Sequence, residues 1–317
     1  MSTIPHTENQ NFNHQPVLCK EALTALHIKP DGIYVDGTFG RGGHSRAILN
    51  QLSPIGRLIG FDQDPEAVVV GQMLMEKDSR FTMVYACFDT LLSYLQPANL
   101  MGHIDGILLD LGVSSPQLDN PQRGFSFMHT GELDMRMNPN TGESVAQWLA
   151  KTKPEVIADV LKRYGEERFA KRIAHAIAIT REITPIQTTT QLAEIVAKAQ
   201  PVKEKHKHPA TRTFQALRIF INQELAQLEN VLPQTVMALK PQGRLAVISF
   251  HSLEDRIVKR FMRDKARGDT YPSKLPIPDA MLNRALRVVG KAVSATEKEI
   301  QQNPRARSAI LRTAERC

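Results

Sequence analysis

Short apolar runs alternate with stretches of helical period through the first third of the chain. Ile33–Val35, Arg57–Phe61, Phe81–Tyr85 and Gly106–Leu109 read as four strands, and three of them run directly into an aspartate, at Asp36, Asp62 and Asp110. Ser45–Leu52 and Pro65–Met75 carry helical patterns between them, and a proline at the first helical position suits the second. Such alternation implies a parallel sheet with helices on both faces. The next strand is Arg244–Phe250, after the breaker Lys240-Pro241-Gln242-Gly243. The interval is far longer than a simple crossover, so something is inserted. Its sequence is helical. Pro154–Tyr164 and Glu166–Thr180 place Val156, Val160 and Leu161, then Phe169, Ile173 and Ile177, at three- and four-residue spacing. Thr190–Ala199 is a further helix with Thr189 or Thr190 as its N-cap, and Thr213–Leu232 is one long amphipathic helix leading back to the sheet. Ala285–Val289 and Ser308–Thr313 are expected to complete the sheet as an antiparallel tail. The expected fold is α/β: a Rossmann-like sheet domain split into residues 1–137 and 211–317, around an all-helical insertion at 138–210.

The 317 residues are 42% hydrophobic and 23% charged, enough apolar material for a core. No apolar run is long enough to span a bilayer, and Met1–Gln15 is polar with no secretory h-region, so a cytoplasmic protein is expected. Cys19, Cys87 and Cys317 fit no C-x-x-C pattern, which argues against a disulfide framework or a cysteine zinc site. Forty Lys+Arg against 33 Asp+Glu leave a net charge of +7, a weak hint of a polyanionic partner.

The chemistry gathers where the strands end. The first strand leads into Asp36-Gly37-Thr38-Phe39-Gly40-Arg41-Gly42-Gly43-His44. A glycine-rich turn between strand and helix lets a ligand approach the backbone. The dinucleotide fingerprint is G-x-G-x-x-G, whereas here an acid precedes G-x-x-G-x-G-G. That acid would repel a pyrophosphate and suit a cofactor with a cationic end, such as the ammonium of S-adenosylmethionine. Asp62 can bind both hydroxyls of a ribose, while Asp64 caps the helix begun by Pro65. Phe88 can stack on an adenine or pack in the core. In an open parallel sheet, ligands bind beyond the carboxyl ends of the strands, so Asp36, Asp62 and Asp110 share one edge. Downstream, the segment from Arg123 through Phe125 and Phe127 to Met137 is rich in Phe, Met and charge. It reads as a lid or substrate loop.

Tyr34–Ser45 and Asp110–Asp119 resemble the signatures of the bacterial ribosomal RNA small-subunit methyltransferase H family, also called MraW. So do Arg123–Phe127, Leu133–Met137, Thr211–Arg218, Ser249–Arg256 and Asn303–Ser308. The likeness runs from about His14 to Arg316. It implies S-adenosylmethionine-dependent methylation of the N4 amino group of one cytidine in the decoding region of 16S rRNA. It also implies cofactor contacts at Gly42, Gly43, His44, Asp62, Phe88, Asp110 and Gln117, to which the loop reading adds Asp36 and Gly40. The implied partner is 16S rRNA within the small ribosomal subunit, with no membrane; the protein itself is expected to be a monomer or homodimer.

An exocyclic cytosine amine is a poor nucleophile, because its lone pair is delocalised into the ring. Transfer needs acceptors for the amino hydrogens and alignment with the methyl donor. Amino-methyltransferases often use an Asp/Asn/Ser-Pro-Pro-aromatic motif after the fourth strand, which this chain lacks. Asp110 holds the equivalent place. It is expected to orient the cofactor or the amine, while the Ser115-Pro116 backbone and Phe125 or Phe127 hold the base. Trp148, with Val145 and Leu149, is expected in the core. Lys162, Arg163, Arg168, Lys171, Arg172 and Arg181, then Lys203–His208, make the helical insertion the expected RNA-docking element. His206 and His208 have no acidic or cysteine partner in sequence, and no metal site is expected. His251, Glu254 and Asp255 line the RNA side of the pocket or cap the following helix. A dinucleotide oxidoreductase is disfavoured by Asp36 and the glycine spacing. A non-catalytic ribosome-assembly factor that keeps a cofactor-binding fold is the remaining alternative.

Overall fold

A computed structural model of the chain describes residues 16–202, 208–269, 278 and 281–317. After α1 (Cys19–Leu26) come β1 (Ile33–Asp36), α2 (Gly43–Leu49), β2 (Arg57–Asp62), α3 (Pro65–Lys77), β3 (Phe81–Tyr85), α4 (Leu91–Leu95), β4 (Ile104–Asp110) and α5 (Ser115–Asp119). A helical stretch follows: α6 (Val145–Lys151), α7 (Pro154–Gly165), α8 (Ala170–Ile183), α9 (Thr189–Ala199) and α10 (Thr211–Ile221). The chain returns through α11 (Glu224–Ala238), β5 (Leu239–Ser249), α12 (Ser252–Arg267), β6 (Leu286–Val288), β7 (Val293–Ser294), α13 (Glu297–Gln302) and β8 (Ile310–Arg316).

The strands form one sheet in the order β3-β2-β1-β4-β5-β8-β6, with β7 also on β8. The first five are parallel, and β8 runs antiparallel to β5. Period-two alternation sends neighbouring residues to opposite faces. Val35, Ile59, Ile107, Leu109 and Val247 pack under α4, α11 and α12, while Tyr34, Leu58, Leu108, Ala246 and Ile248 pack under α1, α2 and α3. Both faces are therefore buried, as a parallel sheet requires. A third cluster fills the helical unit. It reaches beyond α6–α9 to take in Leu133 and Met135 on one side and Phe214 and Leu217 on the other. Trp148 packs there, 4.8 Å from the Phe220 ring.

Several boundaries differ from the sequence reading, each for a local reason. β5 begins at Leu239 and passes through the Lys240–Gly243 breaker as a bulge: Leu239 pairs with Ile104 and Arg244 with Gly106. The N-cap of α9 is Thr188, in a capping box with Gln191; Thr189 instead bonds the loop at His129 and Gly131. α7 ends at Gly165, and Glu166 turns left-handed at φ 49°, so α8 starts only at Ala170. The expected long helix over 213–232 is two helices. Gln223 has φ 53°, and the Asn222 amide bridges the end of α10 to the loop, accepting from Met137 N at 2.7 Å and donating to Met135 O at 2.7 Å and to Arg218 O at 2.9 Å. The break exists to hold the loop that carries Leu133–Met137.

Candidate active site

The carboxyl ends of β1, β2 and β4 face a cavity of about 1000 Å³, and their three aspartates play three different parts. Asp36 is fully buried and does not line the cavity. Its carboxylate accepts from Ser45 Oγ at 2.6 Å and from Thr38 N at 3.1 Å, which pins the glycine loop to α2. Burial pushes its carboxyl up, while Ser45 and His44 pull it down. Asp62 does line the cavity. One oxygen accepts from Gly40 N at 2.7 Å and the other from Asp64 N at 2.9 Å. Burial raises its pKa to about 6 despite those two amides. A carboxylate has about four acceptor sites, so further lone pairs remain for ligand hydroxyls.

Asp110 is the open one. Its backbone N donates to Thr38 Oγ1 at 2.6 Å, fixing the strand end against the glycine loop. Its Oδ2 lies 3.4 Å from His44 Nε2, an ion-pair contact, while its Oδ1 is buried with no hydrogen-bond partner. His44 is itself buried, on the first turn of α2. Burial pushes its imidazole down, but Asp110, Cys19 and Asp36 outweigh burial and lift the pKa to about 10. An imidazole pushed toward its charged form thus lies against one Asp110 oxygen, while the other oxygen is buried without a hydrogen-bond partner.

Gly40 and Gly42 both adopt positive φ, 56° and 72°. At Gly42 a Cβ would sit 2.7 Å from the Phe39 ring, so that glycine shapes the loop from behind and does not reach the cavity. Gly40, Gly43, His44, Phe88, Ser115 and Gln117 all line it. Gln117 is held rigidly: its Oε1 accepts from Ser114 N and its Nε2 donates to Asp64 Oδ2, each within 2.8 Å. Asp64 caps α3 and also receives Arg123 Nη1 at 2.9 Å. The other Arg123 nitrogen donates to the carbonyls of Arg136 and Met137, so one buried guanidinium straps the loop to the site.

Phe125 and Phe127 are not brought to the cavity. Phe125 is buried in the helical cluster, and Phe127 stacks on His208 at 4.5 Å and meets Phe214 edge-on at 4.8 Å. The apolar helical core captures both rings. The aromatic rings that line the cavity are Phe39, Phe88 and Phe250. Arg181 is also used internally, donating to the carbonyls of Leu149 and Thr152, whereas Lys162, Arg163, Arg168, Lys171 and Arg172 are exposed. Lys203–Lys207, with His206, lie outside the described residues. Among the described residues no His, Cys, Asp or Glu side chains group to hold a metal ion.

His251 and Glu254 form the capping box of α12, and Glu254 lines the cavity as well. Asp255 turns outward to Arg312, at 2.6 Å. Beside Glu254 lies a pair that the sequence did not announce. Arg218 on α10 and Glu224 on α11 make a two-pronged, buried ion pair at 2.8 and 2.9 Å, and Glu224 borders the cavity. Asn303 and Arg305 also reach the cavity, and Arg305 ion-pairs with Asp119 at the mouth. Pro16 and Val17 complete the rim, next to Leu18, whose N donates to Glu299 Oε1 at 2.7 Å.

The cavity thus presents acceptors that suit hydroxyls and a cationic centre and would repel a pyrophosphate. It has room for a nucleoside-sized group, and Asp110 Oδ1 needs a donor. This strand order, with its antiparallel β8, is that of a Rossmann-like α/β sheet. The profile of the MraW methylase family matches residues 11–317, and the chain belongs to that family. It is therefore an S-adenosylmethionine-dependent methylase of that family. Among solved structures, the chain is similar to a Clostridium thermocellum protein assigned as an rRNA methylase, with 11% identity, TM-score 0.43 and coverage of 96% of this chain and 98% of that one. It is also similar to an rRNA methylase from Streptococcus thermophilus (11% identity, TM-score 0.39, coverage 94% and 93%). A third is Aeropyrum pernix fibrillarin, solved with S-adenosyl-L-methionine (7% identity, TM-score 0.39, coverage 93% and 73%). Among the described residues no helix is long and apolar enough to cross a membrane.

Proposed function

We propose that this enzyme methylates the N4 amino group of one cytidine in the decoding region of 16S rRNA, acting on small-subunit particles in the cytoplasm. The observation that carries the reading is Asp110, which borders the cavity at the end of β4 and has one buried carboxylate oxygen without a hydrogen-bond partner. S-adenosylmethionine, when bound, supplies an electrophilic methyl group. Asp62 would hold its ribose hydroxyls and Phe88 would lie beside its adenine, with Gly40, Gly43 and Gln117 forming the adjoining wall. Asp110 Oδ1 accepts a hydrogen of the target amine, which draws the nitrogen lone pair out of conjugation with the ring. As nitrogen gains the methyl group it must lose a proton, and the same oxygen is placed to receive it. His44, 3.4 Å from Oδ2, holds the carboxylate in its orientation.

The base must leave any stack to reach this depth. Phe250, at the end of β5 and close to Gly112, is the ring against which it lies, in place of Phe125 and Phe127. Ser115 and Pro116 border the same opening. The helical unit, residues 138–210, docks flanking RNA through the exposed Lys162, Arg163, Arg168, Lys171 and Arg172. The test is incubation with labelled S-adenosylmethionine and small-subunit particles, followed by nucleoside mass spectrometry. Label in N4-methylcytidine supports the reading. Label in another nucleoside refutes the N4 assignment, and no label in any RNA favours the assembly-factor alternative.

A further inference from the structure

The excess positive charge of this chain has a definite location. Residues 252–317 contain 15 Lys+Arg and 8 Asp+Glu, a net +7 equal to that of the whole chain, while residues 1–251 carry 25 of each. The helical segment 138–210 holds a smaller excess, 12 against 8. Within 252–317, α12 arranges five of its six cations on one side, Lys265 being the exception. Arg256, Lys259, Arg260, Arg263 and Arg267 recur at three- and four-residue spacing and are all exposed. Val258 and Met262 on the opposite side are buried against the sheet. The stripe spans eleven residue steps, about 16 Å at 1.5 Å per residue.

Few acids answer it. Arg256 meets Glu166 at 3.3 Å, and Arg263 and Arg267 share Asp264. Lys259 and Arg260 have no charged partner among the described residues. The stripe begins two residues after Glu254, which lines the cavity, and the Arg256–Glu166 contact joins its upper end to the helical unit. It therefore starts close in sequence to the cavity wall and continues along the outer side of α12.

We infer that the α12 stripe is the docking track for the phosphodiester backbone of the substrate RNA flanking the target nucleotide. The inference rests on the rRNA-substrate reading. Row-like spacing of cations over this length suits successive phosphates, whose charges recur every few ångströms along a strand. A lipid surface is the other polyanion of comparable extent. Membrane-surface helices bury an apolar face in the bilayer, and the apolar face of α12 is already spent on the protein core.

The test measures binding of the full chain to an RNA oligonucleotide carrying the target cytidine and its flanks, by anisotropy across a salt series. Replacing Lys259, Arg260, Arg263 and Arg267 together by alanine should weaken binding at least tenfold near physiological salt. It should also make the slope of log K against log salt shallower by about 3, since each phosphate contact contributes roughly 0.7 to 0.9. The charge-keeping variant Arg260→Lys/Arg263→Lys/Arg267→Lys should bind as wild type does. Arg57→Ala/Lys77→Ala, at the opposite edge of the sheet, should leave the slope unchanged. Unaltered melting and cofactor affinity in every variant certify the fold. An unchanged slope in the quadruple variant, while wild type binds RNA, overturns the inference. So does loss of binding to phosphatidylglycerol vesicles with RNA binding intact. Failure of wild type to bind RNA at all overturns the substrate reading itself, and this inference with it.

Discussion

Asp110 has two oxygens in two situations, one against the His44 ring and one buried without a hydrogen-bond partner. Asp110→Asn keeps the shape but replaces an acceptor oxygen by a donor and removes the base. It should bind cofactor within a few-fold of wild type by calorimetry and lose about 10² to 10⁴ in single-turnover methyl transfer. Retention of full activity would remove Asp110 from the mechanism. His44 has a pH signature of its own. Its folded pKa, about 10, lies above the ordinary 6.5, so its contribution to stability is complete below pH 6.5 and disappears as pH rises through 10. His44→Gln should therefore lower Tm at pH 6.5 and leave it nearly unchanged at pH 10, which melts across that range will check.

At the scale of elements, the site depends on the break between α10 and α11. Asn222 satisfies one backbone donor and one backbone acceptor of the Met135–Met137 loop, and both are buried. Asn222→Leu would strand them at a cost of about 1 to 3 kcal/mol each. Denaturant unfolding should show a loss of roughly 2 to 5 kcal/mol, and the loosened loop should weaken cofactor binding through Arg123. The same break explains what the sequence reading could and could not see. Strands were legible as short apolar runs, three of which end at acids, and Asp36, Asp62 and Asp110 needed only the rule that ligands gather at strand ends. That rule could not say which acid faces inward; Ser45 and Thr38 decide it for Asp36. Arg218 and Glu224 stand six residues apart, which on one continuous helix is no pairing distance. Their ion pair becomes visible only once Gln223 turns the chain. Phe125 and Phe127 looked like base-holding rings because they sit in a long loop rich in Phe, Met and charge, and only the position of the helical core shows where such rings go.

At the scale of the molecule, distant parts of the chain close one cavity. Pro16 and Val17 come from one end and Asn303 and Arg305 from the other, and Arg305 reaches Asp119 across the mouth. An exposed ion pair of this kind contributes about 1 kcal/mol or less to folding. Arg305→Ala should accordingly leave Tm within about 2 °C, yet speed cofactor release several-fold in stopped-flow measurements. An unchanged release rate would mean that the pair does not gate the mouth.

The placement of β8 has a consequence for how the protein reaches this state. It fills the gap between β5 and β6, although every other strand precedes it in the chain. Until it arrives, β5 presents a bare edge in which Leu245, Ala246, Val247 and Ile248 are apolar. An unpaired apolar edge is a template for another chain in the same condition. The partly assembled sheet is thus the stage most exposed to aggregation. β8, which touches neither cofactor nor base in the site described here, acts as the fold's own guard against self-association.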